Sequence, residues 1–529
     1  MPDTRLAVTT LLLMTIVAGA QQRTAPLPVA RITGSVLDGL TNKPISGVAI
    51  SLLQGTERRN ATTNALGQFS LAATHGTARL LATKPGYAAI RPDGHQLPAD
   101  GILISLTPGQ QLRGLTLHIW PTGTFSGTVY DSKSKPVEYA RAQLMRYVYD
   151  EDGQRALQPS SSGHGGETND HGEFRITEVD PGDYYLEVVP SIFAERVPGE
   201  PFVTSPPAPV TVQGGSDNHL GDITLPSVRG ATVHLHLINQ TGQAIQNTMM
   251  KYLHWNRRND LGTSTLIPLL ILGGPERADI PLPIGPFSIT AGWLTGQSPN
   301  APALGLGNVI VDAGGTNADV NITVKKGVRI TGQVVTEQPK GAARPLAGVH
   351  CDLLTDAFPT VPVTSMQDGS IAIDNIQAAI YRVQCPVTLA DSYLRAITQG
   401  DRDVLKQGLQ VVDSVETSSF TVSFNPAGGT IKGRVTTAQG KAGGALVVLV
   451  PDEPAAKHLY RKTNADQNGA FTIQAVAPGN YHIFAWTELN GAAYKNAAFM
   501  KPYGDKGIAV QIGPAEEKTG IETKLLSLH

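Results

Sequence analysis

The sequence predicts an all-β protein, a tandem array of about five small Greek-key β-sandwich domains. Three observations lead there. First, stretches of alternating apolar and polar residues stop repeatedly at Gly, Pro or Asn. The clearest stretch, residues 431–486, opens Ile431-Lys432-Gly433-Arg434-Val435, passes Thr463-Asn464-Ala465-Asp466-Gln467-Asn468-Gly469-Ala470-Phe471, and closes on Pro478-Gly479-Asn480-Tyr481-His482-Ile483. That is the outline of three or four strands joined by glycine-marked turns. Second, its opening strand recurs around Gly34, Gly127, Gly230 and Gly332, with spacings of about 93 to 103 residues, which suits one whole domain per copy better than a solenoid unit. Third, the 529 residues include 56 Gly and 37 Pro, more than a helical protein uses and fewer than a disordered low-complexity chain.

In chain order, residues 1–20 have the shape of a cleavable signal peptide. Arg5 precedes an apolar run through Leu6, Leu11, Leu12, Leu13, Met14, Ile16 and Val17, and Ala18-Gly19-Ala20 offers a small-x-small site, too short and poorly flanked for a spanning helix. No Cys follows to take a lipid. The expectation is an exported protein, periplasmic or extracellular, without membrane insertion. Residues 21–30 form an N-terminal linker. With 42 basic and 44 acidic residues and no Lys/Arg run, nucleic acid is not an expected partner.

The first repeat, residues 31–120, adds Lys43-Pro44-Ile45-Ser46-Gly47-Val48-Ala49-Ile50-Ser51-Leu52, Thr63-Asn64-Ala65-Leu66-Gly67-Gln68-Phe69 and Lys84-Pro85-Gly86-Tyr87. This ordered string resembles the carboxypeptidase regulatory-like domain. The resemblance implies a transthyretin-like, Ig-like β-sandwich, grouped with carbohydrate-binding-like folds. It extends to four of the five repeats, at Gly34, Gly127, Gly332 and Gly433, and the third is degenerate.

The second repeat, 121–226, carries Thr168-Asn169-Asp170-His171-Gly172-Glu173-Phe174 and Asp180-Pro181-Gly182-Asp183-Tyr184. There Tyr184, Leu186 and Val188 alternate with Tyr185 and Glu187, so the first set is assigned to core and the second to solvent. The same register returns as Phe287, Ile289 and Ala291 in the third repeat (227–327), as Tyr381, Val383 and Cys385 in the fourth (328–427), and as Tyr481, Ile483 and Ala485 in the fifth (428–529). Residues 198–209 are dense in Pro and read as an irregular loop or an edge, and residues 266–272 as a buried strand. In the fourth repeat, Tyr393 to Ile397 and Leu405 to Leu409 read as an edge strand and a polar turn. Alternation also turns Cys351 and Cys385 inward. In the implied topology their strands are adjacent, so the pair is either a disulfide or two buried thiols in contact.

Several motifs suggest chemistry. His164-Gly165-Gly166-Glu167 has the H-x-x-E spacing of zinc carboxypeptidases, but it lies in a Ser/Gly-rich loop without further ligands, and no catalytic domain accompanies it. Asn464, Asp466 and Asn468 resemble half a calcium loop, yet Ala475 stands where a bidentate Glu belongs, and Asx turn chemistry selects the same residues. Lys432 is the only lysine near an isopeptide position, and it alternates with Ile431. No metal, cofactor or catalytic residue is expected.

The surface feature with functional promise lies in the last repeat. If Tyr481, Ile483 and Ala485 face the core, then His482, Phe484 and Trp486 line the opposite face, where Phe484 and Trp486 form a binding surface with Tyr494, Phe499 and Tyr503 or are covered by the extra segment that holds those three. The expected function is a non-enzymatic binding or scaffold protein of the envelope or extracellular space, its partner an envelope protein or a glycan. The alternatives are a carbohydrate-binding protein using that aromatic face and, more remotely, an accessory module of a zinc carboxypeptidase system. Oligomeric state is not legible.

Overall fold

The computed structural model describes residues 29–88, 102–160, 163–189, 208–225, 230–242, 251–257, 277–283, 285–294, 303–313, 317–337, 343–386, 391–413, 419–437, 440–487 and 489–528. The signal segment, the 266–272 strand and most of the proline-dense stretch lie outside these residues.

The five sandwiches share one strand pairing. In each, the opening strand lies between an antiparallel neighbour and the domain's last strand, which runs parallel to it. Ala30–Asp38 sits between Gln68–Ala73 and Gln111–Pro121, and Gly123–Tyr130 between Glu173–Val179 and Asp217–Thr224. Gly230–Ile238 sits between Arg277–Pro283 and Ala318–Thr323, and Val328–Thr336 between Ser370–Ile376 and Ser419–Asn425. Gly429–Thr437 repeats the arrangement between Ala470–Val476 and Glu517–Leu526. A second sheet covers each core, such as Glu57–Thr62, Ala49–Gln54, Gly76–Thr83 and Ile102–Leu106 in the first sandwich. In the fifth the two sheets join, because Trp486 pairs with Leu526. Each last strand reaches the next opening strand through one, five, four and three residues in turn, which leaves little slack between neighbours.

The alternating residues make the cores. Ile32, Val36, Ile50, Leu52 and Leu80 are buried in the first sandwich, and Phe125, Val129, Tyr184, Leu186 and Val188 in the second. The third buries Phe287, Ile289 and Ala291 on one sheet and Val233 and Leu235 on the other in spite of its divergent sequence. The fourth and fifth bury Tyr381, Val383 and Cys385, and Tyr481, Ile483 and Ala485. Burial of this kind supplies roughly 1.5–3 kcal/mol per large side chain.

The recurring turn has a side-chain mechanism. The Oδ1 of Asn64 accepts from the amides of Leu66 and Gln68, that of Asn169 from His171 and Glu173, and that of Asp466 from Asn468 and Ala470. The glycine three places on takes φ near +70° (Gly67, Gly172 and Gly469, at 69°, 76° and 74°), a region that favours glycine. The residue before the Asx pins a second turn. Thr63 donates to the Ile45 carbonyl and accepts from the Val48 amide, Thr168 does the same in its domain, and so does Ser365, although Met366 and not an Asx follows it. In the fifth sandwich that position is Ala465, so the Thr463-Asn464 pair of the sequence motif stands two residues out of register with Thr63-Asn64.

A second correction concerns Lys84-Pro85-Gly86-Tyr87. Strand pairing aligns Gly182 and Tyr184 with Gly76 and Ala78 in the first sandwich. Tyr87 belongs instead to a turn at the far end of the strand Gly76–Thr83, closed by the Tyr87 amide on the Lys84 carbonyl. In the second, fourth and fifth domains the tyrosine bonds its own turn. The hydroxyls of Tyr184, Tyr381 and Tyr481 donate to the carbonyls of Asp180, Gln377 and Ala477 at 2.8, 3.0 and 2.8 Å.

Two further expectations need revision. Glu187 does not meet solvent; it is 7% exposed, and its carboxylate accepts from the Gln143 side-chain amide at 2.7 Å. The strand Tyr393–Gln399 pairs with Ser419–Asn425 and, only at Thr398 and Gln399, with Arg402–Asp403, so Tyr393 to Ile397 is the expected edge; the polar turn after it winds instead into the short helix Val404–Gln407, N-capped by Asp403. Of the proline-dense stretch, Ala208–Val212 is an edge strand.

Candidate functional site

The strand Gly479–Trp486 organises the fifth sandwich by sending alternate side chains to two cores. Tyr481, Ile483 and Ala485 enter the sandwich interior. Phe484 and Trp486 enter a second cluster with Val448, Tyr460, Leu489, Tyr494 and Tyr503, against which Phe499 is partly buried. Residues 487–503 make this cover through the 3-10 turns Ala493–Lys495 and Lys501–Tyr503 and the helical turn Ala497–Met500, capped by Asn496. Phe484 stacks on Trp486 at 5.6 Å, and Tyr503 meets the Trp486 ring edge-on at 5.3 Å. The structure therefore brings all five proposed binding aromatics, Phe484, Trp486, Tyr494, Phe499 and Tyr503, into one cluster, but as a satellite core and not as an open face. Trp486 is 0% exposed, so a sugar cannot stack on it. An isolated sheet face this apolar is stabilised by cover, and the extra segment supplies it.

The outer side of that cover holds the second sandwich. The hairpin of Arg141–Tyr149 and Arg155–Pro159 presents a tip fixed by the Asp150 carboxylate, which accepts from the amides of Asp152 and Gln154. The Ala492 amide donates to the Tyr149 carbonyl at 3.2 Å, the Asn496 side chain to Gly153 at 2.9 Å, and Lys495 Nζ to Glu151 at 2.5 Å. Asn490 Nδ2 donates to Tyr147, and Tyr149 meets the edge of Phe499 at 5.9 Å. From the fourth sandwich Arg382 forms an ion pair with Asp152. Burial pushes the ammonium groups of Lys495 and Lys457 below the usual lysine range, and the nearby hairpin carboxylates, Glu151 and Asp150 for Lys495 and Asp150 for Lys457, oppose that shift. Burial, reinforced by Glu151, raises Tyr494 well above the ordinary phenol value.

A cleft of about 690 Å³ opens between the first and fifth sandwiches. Its walls are bridged by one amide side chain. Gln467 Nε2 donates to the Ser105 carbonyl at 2.7 Å, and the Ser105 amide donates to Gln467 Oε1 at 2.9 Å. Arg79 lines one wall and Lys462 the other.

The remaining motif residues do not converge on a reaction. Cys351, in the strand His350–Leu354, forms a disulfide with Cys385, which directly follows the adjacent strand Ala379–Gln384. Among the described residues no three His, Cys, Asp or Glu side chains gather as a metal site. His164 lies in a two-residue strand paired to Thr177, while Glu167 is exposed. Asp466 serves the Asx turn, and Lys432 is exposed and paired with Glu517 at 2.9 Å. The contacts that sequence reasoning missed are Tyr147, Tyr149, Gly491, Ser105 and Gln467. Asn490-Gly491 was visible as a turn signal, but nothing local marks what that turn touches.

The strand pairing and turn chemistry of residues 31–105 agree with the outcome of sequence comparison. Residues 31–105 match the carboxypeptidase regulatory-like domain. That carboxypeptidase regulatory-like unit is the greater part of the first sandwich, and the later sandwiches repeat its central pairing. No curated protein matches the chain. Solved structures that align include the Bacillus anthracis TIE protein, 10% identical over 73% of this chain and 68% of that one, TM-score 0.18. A streptococcal ancillary pilin aligns at 12% identity over 56% and 98%, TM-score 0.21. GBS52, the minor pilin of Streptococcus agalactiae, aligns at 16% over 38% and 96%, TM-score 0.21. At such scores the likeness bears on neither function nor partner. No helix among the described residues is long and apolar enough to cross a membrane.

Proposed function

We propose that the protein is a non-enzymatic, exported scaffold whose sandwiches fold on one another and together present a binding surface to an envelope component. The observation that carries this reading is where the fifth sandwich places its unusual residues. Its extra segment seals an aromatic core on one side and grips the hairpin of the second sandwich on the other. These residues fix domains relative to one another, which is what a surface assembled from several domains requires.

The test immobilises the exported form and offers it an envelope extract together with a glycan panel, with substrate turnover followed in parallel. Retention of a discrete envelope component without turnover is the expected result. Retention of nothing, or hydrolysis of envelope material that co-purifies with the chain, overturns the reading.

A further inference from the structure

We propose that the cleft between the first and fifth sandwiches binds a short acidic saccharide, with Arg79 and Lys462 receiving its carboxylates from opposite walls. The inference rests on the binding role proposed above and names a ligand class for it. The volume of about 690 Å³ falls within the ~300–1,000 Å³ of small-ligand sites. Arg79 is half-buried on the strand Gly76–Thr83, and Lys462 is exposed on Arg461–Asn464. Among the described lining residues the single acid is Asp466, and its Oδ1 is held by the amides of Asn468 and Ala470. The lining therefore favours an anion.

The remaining lining selects among anions. Thr77, Asn464 and Thr472 offer hydroxyl and amide groups that both donate and accept, as a ring of hydroxyls requires, and Leu446 and Leu489 offer apolar contact to C–H faces. The ring that reaches the cleft, Phe471, is buried across Gly433, so a nucleobase finds no stacking platform among the described lining residues. The outer edge of Ile102–Leu106 is closed to an added peptide strand at Ser105, where amide and carbonyl are both taken by Gln467.

Calorimetric titration of the full exported chain decides it, with trigalacturonate, maltotriose and an acidic hexapeptide as probes. Trigalacturonate binds, the affinity falls as salt rises, and maltotriose binds at least about tenfold more weakly, the effect of losing one charge-assisted hydrogen bond. Lys462→Glu, on an exposed edge, weakens trigalacturonate by about tenfold or more, and Arg79→Gln does the same with an unchanged circular dichroism spectrum. Equal binding of maltotriose, preference for the peptide, unchanged affinity in both variants, or no binding of trigalacturonate each overturns the proposal. A chain that retains an envelope component but ignores trigalacturonate sinks the ligand class and leaves the scaffold standing.

Discussion

Phe471 lies across Gly433. The two face one another in register in the antiparallel pair that opens the fifth sandwich, and a β-carbon on Gly433 would come within 2.5 Å of the ring and 2.4 Å of the Ile521 carbonyl oxygen. Gly34 with Phe69 and Gly127 with Phe174 repeat the relation. In the fourth sandwich the ring over Gly332 arrives from the other side, as Phe420 of the parallel last strand, and Ile371 takes the antiparallel position. In these four sandwiches the recurring glycine of the opening strand is thus a seat for an aromatic ring, filled from either neighbour, while Gly230 of the third pairs with Pro283.

Gly433→Ala therefore overpacks a site bounded partly by backbone, and is expected to destabilise the fifth sandwich by about 1–3 kcal/mol. Gly504→Ala is the control, since Gly504 is helical and the nearest atom to its added carbon is at 3.9 Å. Urea unfolding followed by tryptophan fluorescence reads both, and equal midpoints would remove the seat argument.

Ala465 stands where Thr63, Thr168 and Ser365 bridge a carbonyl and an amide across the neighbouring turn. The surrounding backbone bonds are the same: Gly444 donates to Ala465 as Gly47 does to Thr63, and Ala465 to Ala445 as Thr63 to Val48. Ala465→Ser supplies the missing hydroxyl and is expected to stabilise the fifth sandwich by about 1 kcal/mol. A lower unfolding midpoint would show that the buried site has no room for the oxygen.

How far the sequence could be read follows from the range of each interaction. Alternation within one strand assigns Tyr184, Phe287, Tyr381 and Tyr481 to the core because the pleat carries that information locally. It also separates Phe484 and Trp486 from Tyr481 and Ile483. It does not say whether the second face is wet, since that depends on Leu489, Tyr494 and Tyr503, which arrive after the strand has ended. Glu187 fails for the same reason, because a partner 44 residues away makes its burial tolerable. The Pro85-Gly86-Tyr87 match misleads because a glycine turn followed by an aromatic occurs at either end of a strand. The contact of Asn490 with Tyr147 spans 343 residues and has no periodicity to reveal it.

Burial raises the phenols of Tyr381, Tyr481 and Tyr494, that of Tyr481 to about 12 from the usual 10. A phenol whose folded value lies above its unfolded value adds stability that is complete below pH 10 and is lost as pH rises through the folded value. The unfolding midpoint is expected to fall with pH from about 10 to about 12, and Tyr481→Phe to flatten part of that fall. The same variant costs about 1 kcal/mol at neutral pH, because the Ala477 carbonyl loses its donor. A pH-independent midpoint over that window contradicts the assignment.

The Cys351–Cys385 bond closes a loop of 34 residues in the fourth sandwich. By the chain-entropy argument such a loop contributes about 4 kcal/mol. Reduction is expected to make that domain the first to be cut in limited proteolysis, while cleavage in the other four keeps its rate. Equal rates with and without reductant would mean that the hydrophobic core alone holds the domain.

Gly491, at φ 60°, lies against the second sandwich, and a β-carbon there would come 2.0 Å from the Tyr149 carbonyl oxygen. The hairpin cannot remain seated on Ala492 and Asn496 against such an atom, whereas the aromatic cluster beneath loses only the partly buried Tyr149 from that side and keeps its buried members from the fifth sandwich. Gly491→Val is therefore expected to release the second sandwich and raise the radius of gyration measured by small-angle scattering, with tryptophan fluorescence near that of the parent. Asp152→Ala removes the ion pair with Arg382 without adding bulk. It acts in the same direction but more weakly, since the Arg382 end of the pair is exposed and solvent and salt screen it. If neither variant changes the radius of gyration, the grip of the extra segment is not what holds the two sandwiches together.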